Sequence, residues 1–371
     1  MGCAFTEQTT PGVSRLKPYQ PGKPIAELAR ELGLDERNIV KLASNENPLG
    51  PSKKVLVALE QAFQDLTRYP DGSGYQLKQA LAQKLGIDTA AITLGNGSND
   101  VLDLIVRAWV SPGDEVVFSE HAFAVYPIAT LAASGTPVQV PAKDYGHDLT
   151  AMASAITEKT RVVFIANPNN PTGTWLNRDE LRVFLDKVPD NVLVVLDEAY
   201  YEYIKEPAYP NGLLWLESYP NLIVTRTFSK IYGLASLRVG YSVSSSQIAE
   251  VLNRVRQPFN VNSFALAAAE AALDDDDYVE RSRMVNRDGL IQLTEGFQKR
   301  GLDFIPSLGN FITFDTGRDG EQVYQALLRQ GVIVRPVTGY GLPRHLRVSV
   351  GTEDENKAFL SALPKALGKA V

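Results

Sequence analysis

Cysteine is almost missing from this sequence: Cys3 is the single one in 371 residues. No intramolecular disulfide is possible, which fits a reducing compartment. Histidine is nearly as scarce. His121, His147 and His345 are scattered without ligand spacing, so no metal site is expected. Charge of one sign is not in large excess either. Lysine and arginine number 37 against 43 acidic residues, a net charge of −6. No basic block stands out, which argues against a nucleic-acid partner. No apolar run approaches the ~20 residues needed to cross a bilayer, so no membrane partner is expected. The first residues lack the charged and apolar regions of a signal peptide, and a cytoplasmic protein is expected. Met1–Thr6 matches the loose myristoylation pattern. So short a pattern recurs by chance, and a plain N-terminal tail is the reading adopted. Two phosphate-loop signatures are also missing. No GxxxxGK[ST] string occurs, and Gly95-Asn-Gly-Ser-Asn-Asp100 departs from GxGxxG because its sixth position is aspartate.

The chain's length suits two domains of unequal size, and 44% hydrophobic with 22% charged residues is ordinary globular composition. Residues 1–50 read as an arm kept extended by Pro11, Pro18, Pro21, Pro24 and Pro48, with one short helix near Ile25–Leu32. From residue 51, helical spacing (Val55, Leu59, Ala62, Phe63; Val101, Leu104, Ile105, Ala108) alternates with short β-branched runs. Those runs are Glu115–Phe118, Arg161–Ala166, Asn191–Leu196 and Leu222–Thr225. They are apolar on both faces, as strands covered by helices on both sides are. The alternation lasts to about residue 243 and predicts a large, doubly wound, mostly parallel α/β domain over 51–260. Residues 261–371 predict a smaller α+β domain. It has long helices over 262–300 and strands at Phe311–Asp315, Val332–Arg335 and His345–Val350. Further helices fall near 320–330 and 354–367. The acidic run Asp274–Asp277 reads as a solvated turn between helices.

Four strings carry chemistry, and each falls at the end of an expected strand, where open α/β sheets bind ligands. The first is Arg226-Thr-Phe-Ser-Lys230 with Arg238 further on. Hydroxyls and an arginine can hold a phosphate, and a lysine can form a Schiff base with a carbonyl; a solvated surface turn is the plain alternative. The second is Val192-Leu-Val-Val-Leu-Asp197-Glu-Ala-Tyr200. A carboxylate delivered by a hydrophobic strand needs a partner. A cationic ring nitrogen would serve, although an aspartate capping the next helix would look the same. The third, Asn167-Pro-Asn-Asn-Pro-Thr-Gly173, is a stiff turn that projects asparagine amides, or merely a tight connection. The fourth is the glycine cluster ending at Asp100. It either opens a helix whose backbone N–H groups favour an anion, or is simply capped by Ser98 or Asn96. One pocket for a phosphorylated aromatic cofactor accounts for all four together.

The set resembles the fold-type I pyridoxal-phosphate enzymes, whose fold is aspartate-aminotransferase-like, and within them the histidinol-phosphate aminotransferases. The likeness runs from Leu16-Lys-Pro-Tyr19 to Leu346-Arg-Val-Ser-Val-Gly351. It includes Leu42-Ala-Ser-Asn-Glu-Asn-Pro-Leu-Gly50, Arg68-Tyr-Pro-Asp-Gly72, the turn ending at Gly173, and Thr227-Phe-Ser-Lys230. The resemblance implies that Lys230 carries pyridoxal 5'-phosphate. Asp197 would pair with the pyridine nitrogen, and Asn170 and Tyr200 would contact the ring hydroxyl. Thr227, Ser229, Arg238, Ser98 and Asn99 would surround the phosphate, and Phe123 would stack on the ring. Tyr69 would reach that phosphate from a neighbouring subunit, which implies a homodimer. Arg347 would receive the substrate carboxylate, Arg335 would touch the far end of the substrate, and Tyr19 would help close the site.

Three departures from the family pattern concern the substrate rather than the chemistry. They are Asn99-Asp100 in place of an acidic pair, Ser236 where glycine is frequent, and phenylalanine at 123 where tyrosine is frequent. The implied reaction is transamination of L-histidinol phosphate with 2-oxoglutarate, giving imidazole acetol phosphate and glutamate in histidine biosynthesis. Aromatic-amino-acid transamination, phosphothreonine decarboxylation and a catalytically silent binding role remain as alternatives. The histidines, Tyr201 and Tyr203 read as packing or surface residues.

Overall fold

The computed structural model describes residues 5–368; Cys3 and Met1–Ala4 of the myristoylation-like string lie outside them. In chain order the strands are β1 (Val40–Lys41), β2 (Ile92–Gly95), β3 (Glu115–Ser119), β4 (Thr136–Val140), β5 (Thr160–Ala166), β6 (Leu193–Asp197), β7 (Leu222–Thr227) and β8 (Gly240–Val243). They continue with β9 (Phe304–Ile305), β10 (Phe311–Asp315), β11 (Val332–Ile333), β12 (Arg335–Pro336) and β13 (His345–Ser349).

Seven strands form the large sheet, in the order β2-β8-β7-β6-β5-β3-β4. Strands β3 to β7 pair in parallel, and β8 runs antiparallel to both its neighbours. The pleat sends alternate residues to opposite faces. Val162, Phe164, Val195 and Ile223 enter one core with helices Ser98–Trp109, Val125–Ala132 and Ser246–Val255. Val163, Ile165, Val194, Leu196 and Val224 enter another with helices Leu149–Ser154 and Arg178–Leu185. Burial on both sides is why these strands are unbroken apolar runs. Two strands carry no such signal. Strand β4 contains Pro137, which lacks a ladder donor, and it lies at the sheet edge where proline is tolerated. Strand β8, Gly-Tyr-Ser-Val, is too short and mixed to stand out.

The small sheet is antiparallel, ordered β12-β13-β10-β9. Helices Asp276–Gln298, Gly320–Leu328 and Glu353–Ala366 cover it, Phe297 and Phe359 packing on Phe314 of β10. The arm is tied to this unit, because β1 pairs in parallel with β11 and Leu42 enters its core. The arm helix Ile25–Leu32 forms as expected and ends at Gly33.

Two expectations need correction. Helix Ser263–Leu273, assigned from sequence to the C-terminal domain, buries Ala265, Ala268, Ala269 and Ala272 with Leu77 and Leu81 in the core of the large unit. An alanine-rich helix fits closely against any surface, so its composition does not say which core it joins. The acidic run is not a solvated turn throughout. Asp275 is buried and caps the next helix by accepting from Tyr278 N, and Asp276 and Asp277 sit in its first turn, where negative charge is favourable.

Where β6 and β7 end, their outward-alternating residues lock together behind the sheet. Arg226 Nε and Nη2 donate to Glu198 Oε2 at 2.9 and 2.6 Å. Glu198 Oε1 accepts from Gly212 N at 2.9 Å. The Tyr201 ring lies 3.5 Å from the guanidinium carbon. The two charged side chains are 3% and 0% exposed, so removing one strands the other in a medium that cannot solvate it. Glu198→Ala is expected to lose about 3–5 kcal/mol of stability, read as a lower urea midpoint. An unchanged midpoint would show that the pair does not hold the strand ends.

Candidate active site

The C-terminal ends of β5, β6 and β7 and the start of helix Ser98–Trp109 converge on a cavity of about 220 Å³. One end of it is a cradle of N–H and hydroxyl donors. The helix begins after Gly97 (φ 84°), with no side-chain cap. Neither Ser98 nor Asn96 caps it, contrary to the simpler sequence reading. Asn96 N instead donates to Asp100 Oδ2 at 2.8 Å, and Asn260 Nδ2 donates to the same oxygen at 2.7 Å. The first helical N–H groups at Ser98 and Asn99 are thus left for an anion.

Close packing builds the rest of the cradle. A Cβ on Gly240 would lie 2.4 Å from Ser98 N, and one on Gly97 would lie 2.4 Å from Arg238 Nη2. Only glycine lets β8, the helix start and the guanidinium meet. Arg238 itself is left-handed (φ 59°), a strained state for a non-glycine residue. Its Nη1 donates to Ala235 O at 2.9 Å and to Ser229 Oγ at 3.4 Å. Ser229 N donates to Thr227 Oγ1 at 3.1 Å.

At the other end sit Asp197 and Lys230. Asp197 is 5% exposed; it accepts from Tyr126 OH (Oδ2, 2.9 Å) and Thr225 Oγ1 (Oδ1, 2.9 Å). Burial pushes its carboxyl pKa up, and these two donors oppose the shift. Lys230 Nζ donates to Ser44 O at 3.4 Å. Burial first, then the charges of Arg347 and Arg238, bring its pKa down to about 8; Glu46 and Asp197 act the other way. Tyr200 is buried, its OH accepts from Asn45 Nδ2 at 2.9 Å, and burial pushes it up to about 12. Phe123 and Asn170 line the same cavity.

Arg347 is buried on β13 beside the cavity. Its Nη1 donates to Asn170 Oδ1 at 2.5 Å and its Nη2 to Ala43 O at 2.7 Å. Nε has no partner. A buried guanidinium answered only by neutral acceptors calls for an anionic ligand. Arg335 donates to Gln20 O at 2.6 Å and lies 5.3 Å over the Tyr19 ring, so the arm meets β12 here.

Tyr69 stands apart from the other expected residues. It is 82% exposed and stacked on Phe259 at 4.8 Å, outside this chain's cavity.

Sequence reasoning missed Asn45, Tyr126, Thr225 and Tyr340. Asn45 has φ 55° and bonds to Ser349 and Asn310 as well as Tyr200. Tyr340 feels the charges of Arg347 and Arg335. The string Ser44-Asn-Glu-Asn-Pro48 was the one readable signal; that Asn45 takes the left-handed backbone asparagine tolerates shows only in the structure. The histidines make packing contacts. His121 Nδ1 lies 2.6 Å from Tyr340 O, and His147 Nε2 lies 2.9 Å from Ala166 O. No metal-binding cluster of three or more His, Cys, Asp or Glu occurs among the described residues. A larger cavity of about 870 Å³, lined by Tyr145, His147 and Trp175, has no lysine facing a buried carboxylate.

An uncapped helix start with an arginine and two hydroxyls fits a phosphate. A buried carboxylate with a free face fits a protonated pyridine nitrogen. A lysine with a depressed pKa fits an aldehyde carbon. Pyridoxal 5'-phosphate carries all three groups, so the residues present fit it.

Fold and site together define an enzyme of the aspartate-aminotransferase fold. The family model for aminotransferase class I and II matches residues 37–363. Histidinol-phosphate aminotransferase 2 of Pseudomonas aeruginosa is 61% identical, with 98% of each chain covered. Histidinol-phosphate aminotransferase 1 of Idiomarina loihiensis is 57% identical over the same shares. The crystal structure of histidinol-phosphate aminotransferase from Sinorhizobium meliloti, in complex with pyridoxal-5'-phosphate, superposes with a TM-score of 0.90 at 32% identity. It covers 97% of this chain and 98% of its own. An aspartate aminotransferase of Thermus thermophilus shares the fold, at 23% identity and a TM-score of 0.83. The chain belongs to the class I and II aminotransferases, and within them to the histidinol-phosphate aminotransferase family. No helix among the described residues is long and apolar enough to cross a membrane.

The Lys230 environment can be checked on protein freed of bound small molecules. Acetylation rates followed by mass spectrometry should place its midpoint at about pH 8, well below the ~10.4 of free lysine. A midpoint like that of the surface lysines would mean that the site is wetter than described.

Proposed function

We propose that this protein is a cytoplasmic homodimer that transfers the amino group of L-histidinol phosphate to 2-oxoglutarate, with pyridoxal 5'-phosphate as cofactor. The products would be imidazole acetol phosphate and glutamate, in histidine biosynthesis. The observation that carries the reading is a half-buried lysine with a depressed pKa, set between a buried carboxylate and a phosphate cradle. The names and high identity of the relatives support the substrate.

Pyridoxal phosphate, when bound, supplies the electron sink for the substrate carbon; the chain supplies orientation and proton control. Asp197 would hold a proton on the pyridine nitrogen in a dry, preorganised setting. The cradle of Ser98, Asn99, Thr227, Ser229 and Arg238 would fix the phosphate. Because Asn170 Oδ1 accepts from Arg347, its amide N–H is left to donate to the ring hydroxyl, together with Tyr200. Phe123 would cover the ring. Lys230 Nζ, whose lowered pKa leaves a share of it neutral near pH 8, would take the proton from the amine-bearing substrate carbon and hold it for return. Both half-reactions would use this one lysine, so ping-pong kinetics follow.

Arg347 would bind the anionic end of either substrate, because guanidinium suits phosphate and carboxylate alike. Arg335 and Tyr19 would close over the far end. Tyr69, stacked on the surface, would complete the cradle of a second copy.

The deciding measurement is the half-reaction of protein in its aldehyde form. Histidinol phosphate should bleach the visible band far faster than phenylalanine, and phosphothreonine should release no carbon dioxide. Faster bleaching by phenylalanine would make this an aromatic aminotransferase, and carbon dioxide release would make it a decarboxylase. Lys230→Ala should lose at least about 10²–10⁴-fold in turnover and all covalent attachment of the cofactor; full activity would refute the assignment.

A further inference from the structure

Tyr126 is not among the groups expected to touch cofactor or substrate, yet its one polar atom reaches Asp197. Its ring is fully buried on helix Val125–Ala132. It stacks on Phe164 at 4.5 Å with planes 1° apart, and meets the edge of Phe123 at 5.9 Å. Held by those faces, the phenol oxygen donates to Asp197 Oδ2 at 2.9 Å, while Thr225 Oγ1 donates to Oδ1 at 2.9 Å. Each carboxylate oxygen therefore has one neutral donor, and neither donor brings a charge that would compete with a cationic ligand.

We infer that Tyr126 is a positioning residue for Asp197: with Thr225 it keeps the carboxylate ionised and aimed, and so sets how firmly the pyridine nitrogen is held. This rests on the functional reading above. The other groups that face Asp197 are Glu198, which favours its protonation, Lys230, which opposes it, and Tyr200, which is itself affected by the carboxylate charge. Burial and the adjacent carboxylate hold the Tyr126 phenol well above its ordinary range. It stays protonated and acts only as a donor.

The sign follows directly. A donor to the ionised form lowers a carboxyl pKa, so deleting it raises the pKa. A protonated Asp197 cannot hold a pyridinium proton. Cofactor retention should then fail at higher pH in a variant than in the wild type. A hydrogen bond to a charged group corresponds to about one to two pH units, or roughly ten- to a hundredfold in affinity on the acid limb.

The test is release of pyridoxal 5'-phosphate from diluted holoprotein, read by fluorescence from pH 5 to 9 for wild type, Tyr126→Phe, Thr225→Val and Thr225→Ser. Phenylalanine keeps the stack on Phe164, and serine keeps the second hydroxyl. The acid limb should move up by about one to two pH units in Tyr126→Phe and Thr225→Val and return to the wild-type position in Thr225→Ser. If Tyr126→Phe does not fold, the two Thr225 variants decide. An unmoved limb in folded Tyr126→Phe, or equal shifts in Thr225→Val and Thr225→Ser, overturns the inference alone. Wild-type protein that holds no pyridoxal 5'-phosphate at any pH overturns the functional reading, and this inference with it.

Discussion

Asp197 is a carboxylate buried at a strand end, with two neutral donors and no arginine of its own. Burying a charge is costly unless something answers it. Around this residue the partial answers accumulate: the phenol of Tyr126, the hydroxyl of Thr225 and the nearby ammonium of Lys230. None of them neutralises it fully. On the proposed reading, the remaining demand is what a cationic heterocycle would meet.

The same strand ends meet a second demand on the opposite face. Period-two alternation sends Asp197, Thr225 and Thr227 toward the cavity and Glu198 and Arg226 behind the sheet. There the ion pair, the Tyr201 ring and Gly212 N hold β6 and β7 in register. Chemistry on one side and clamping on the other share three consecutive residues of β7, Thr225, Arg226 and Thr227. The two roles cannot be moved independently, because a one-residue slip would exchange the faces.

Much of this was readable before the fold was known. Strands buried on both faces announce themselves as apolar runs, and the polar strings that follow β5, β6 and β7 mark the site. Lys230, Asp197, Asn170, Arg238 and Ser98 come together around the cavity as their positions suggested. What escaped reading had specific causes. Pro137 and the short mixed run at Gly240 hid two strands. The alanines of Ser263–Leu273 say nothing about which core they join. Tyr126 lies in an ordinary apolar helix, and only the stack on Phe164 turns its hydroxyl toward a residue 71 positions away. Tyr69 points away from its own chain's cavity, and no pattern within one chain can show what it meets.

The uncapped start of helix Ser98–Trp109 has one more implication. Most α-helices of this chain begin behind a serine, threonine, aspartate or asparagine whose side chain accepts from their first N–H groups; this one begins behind a glycine pressed against β8. On the proposed reading the ligand's phosphate does the job of that missing side chain. The cofactor is then a structural part as well as a reagent. At this helix start, the element's first turn would be finished by a bound group and not by the chain.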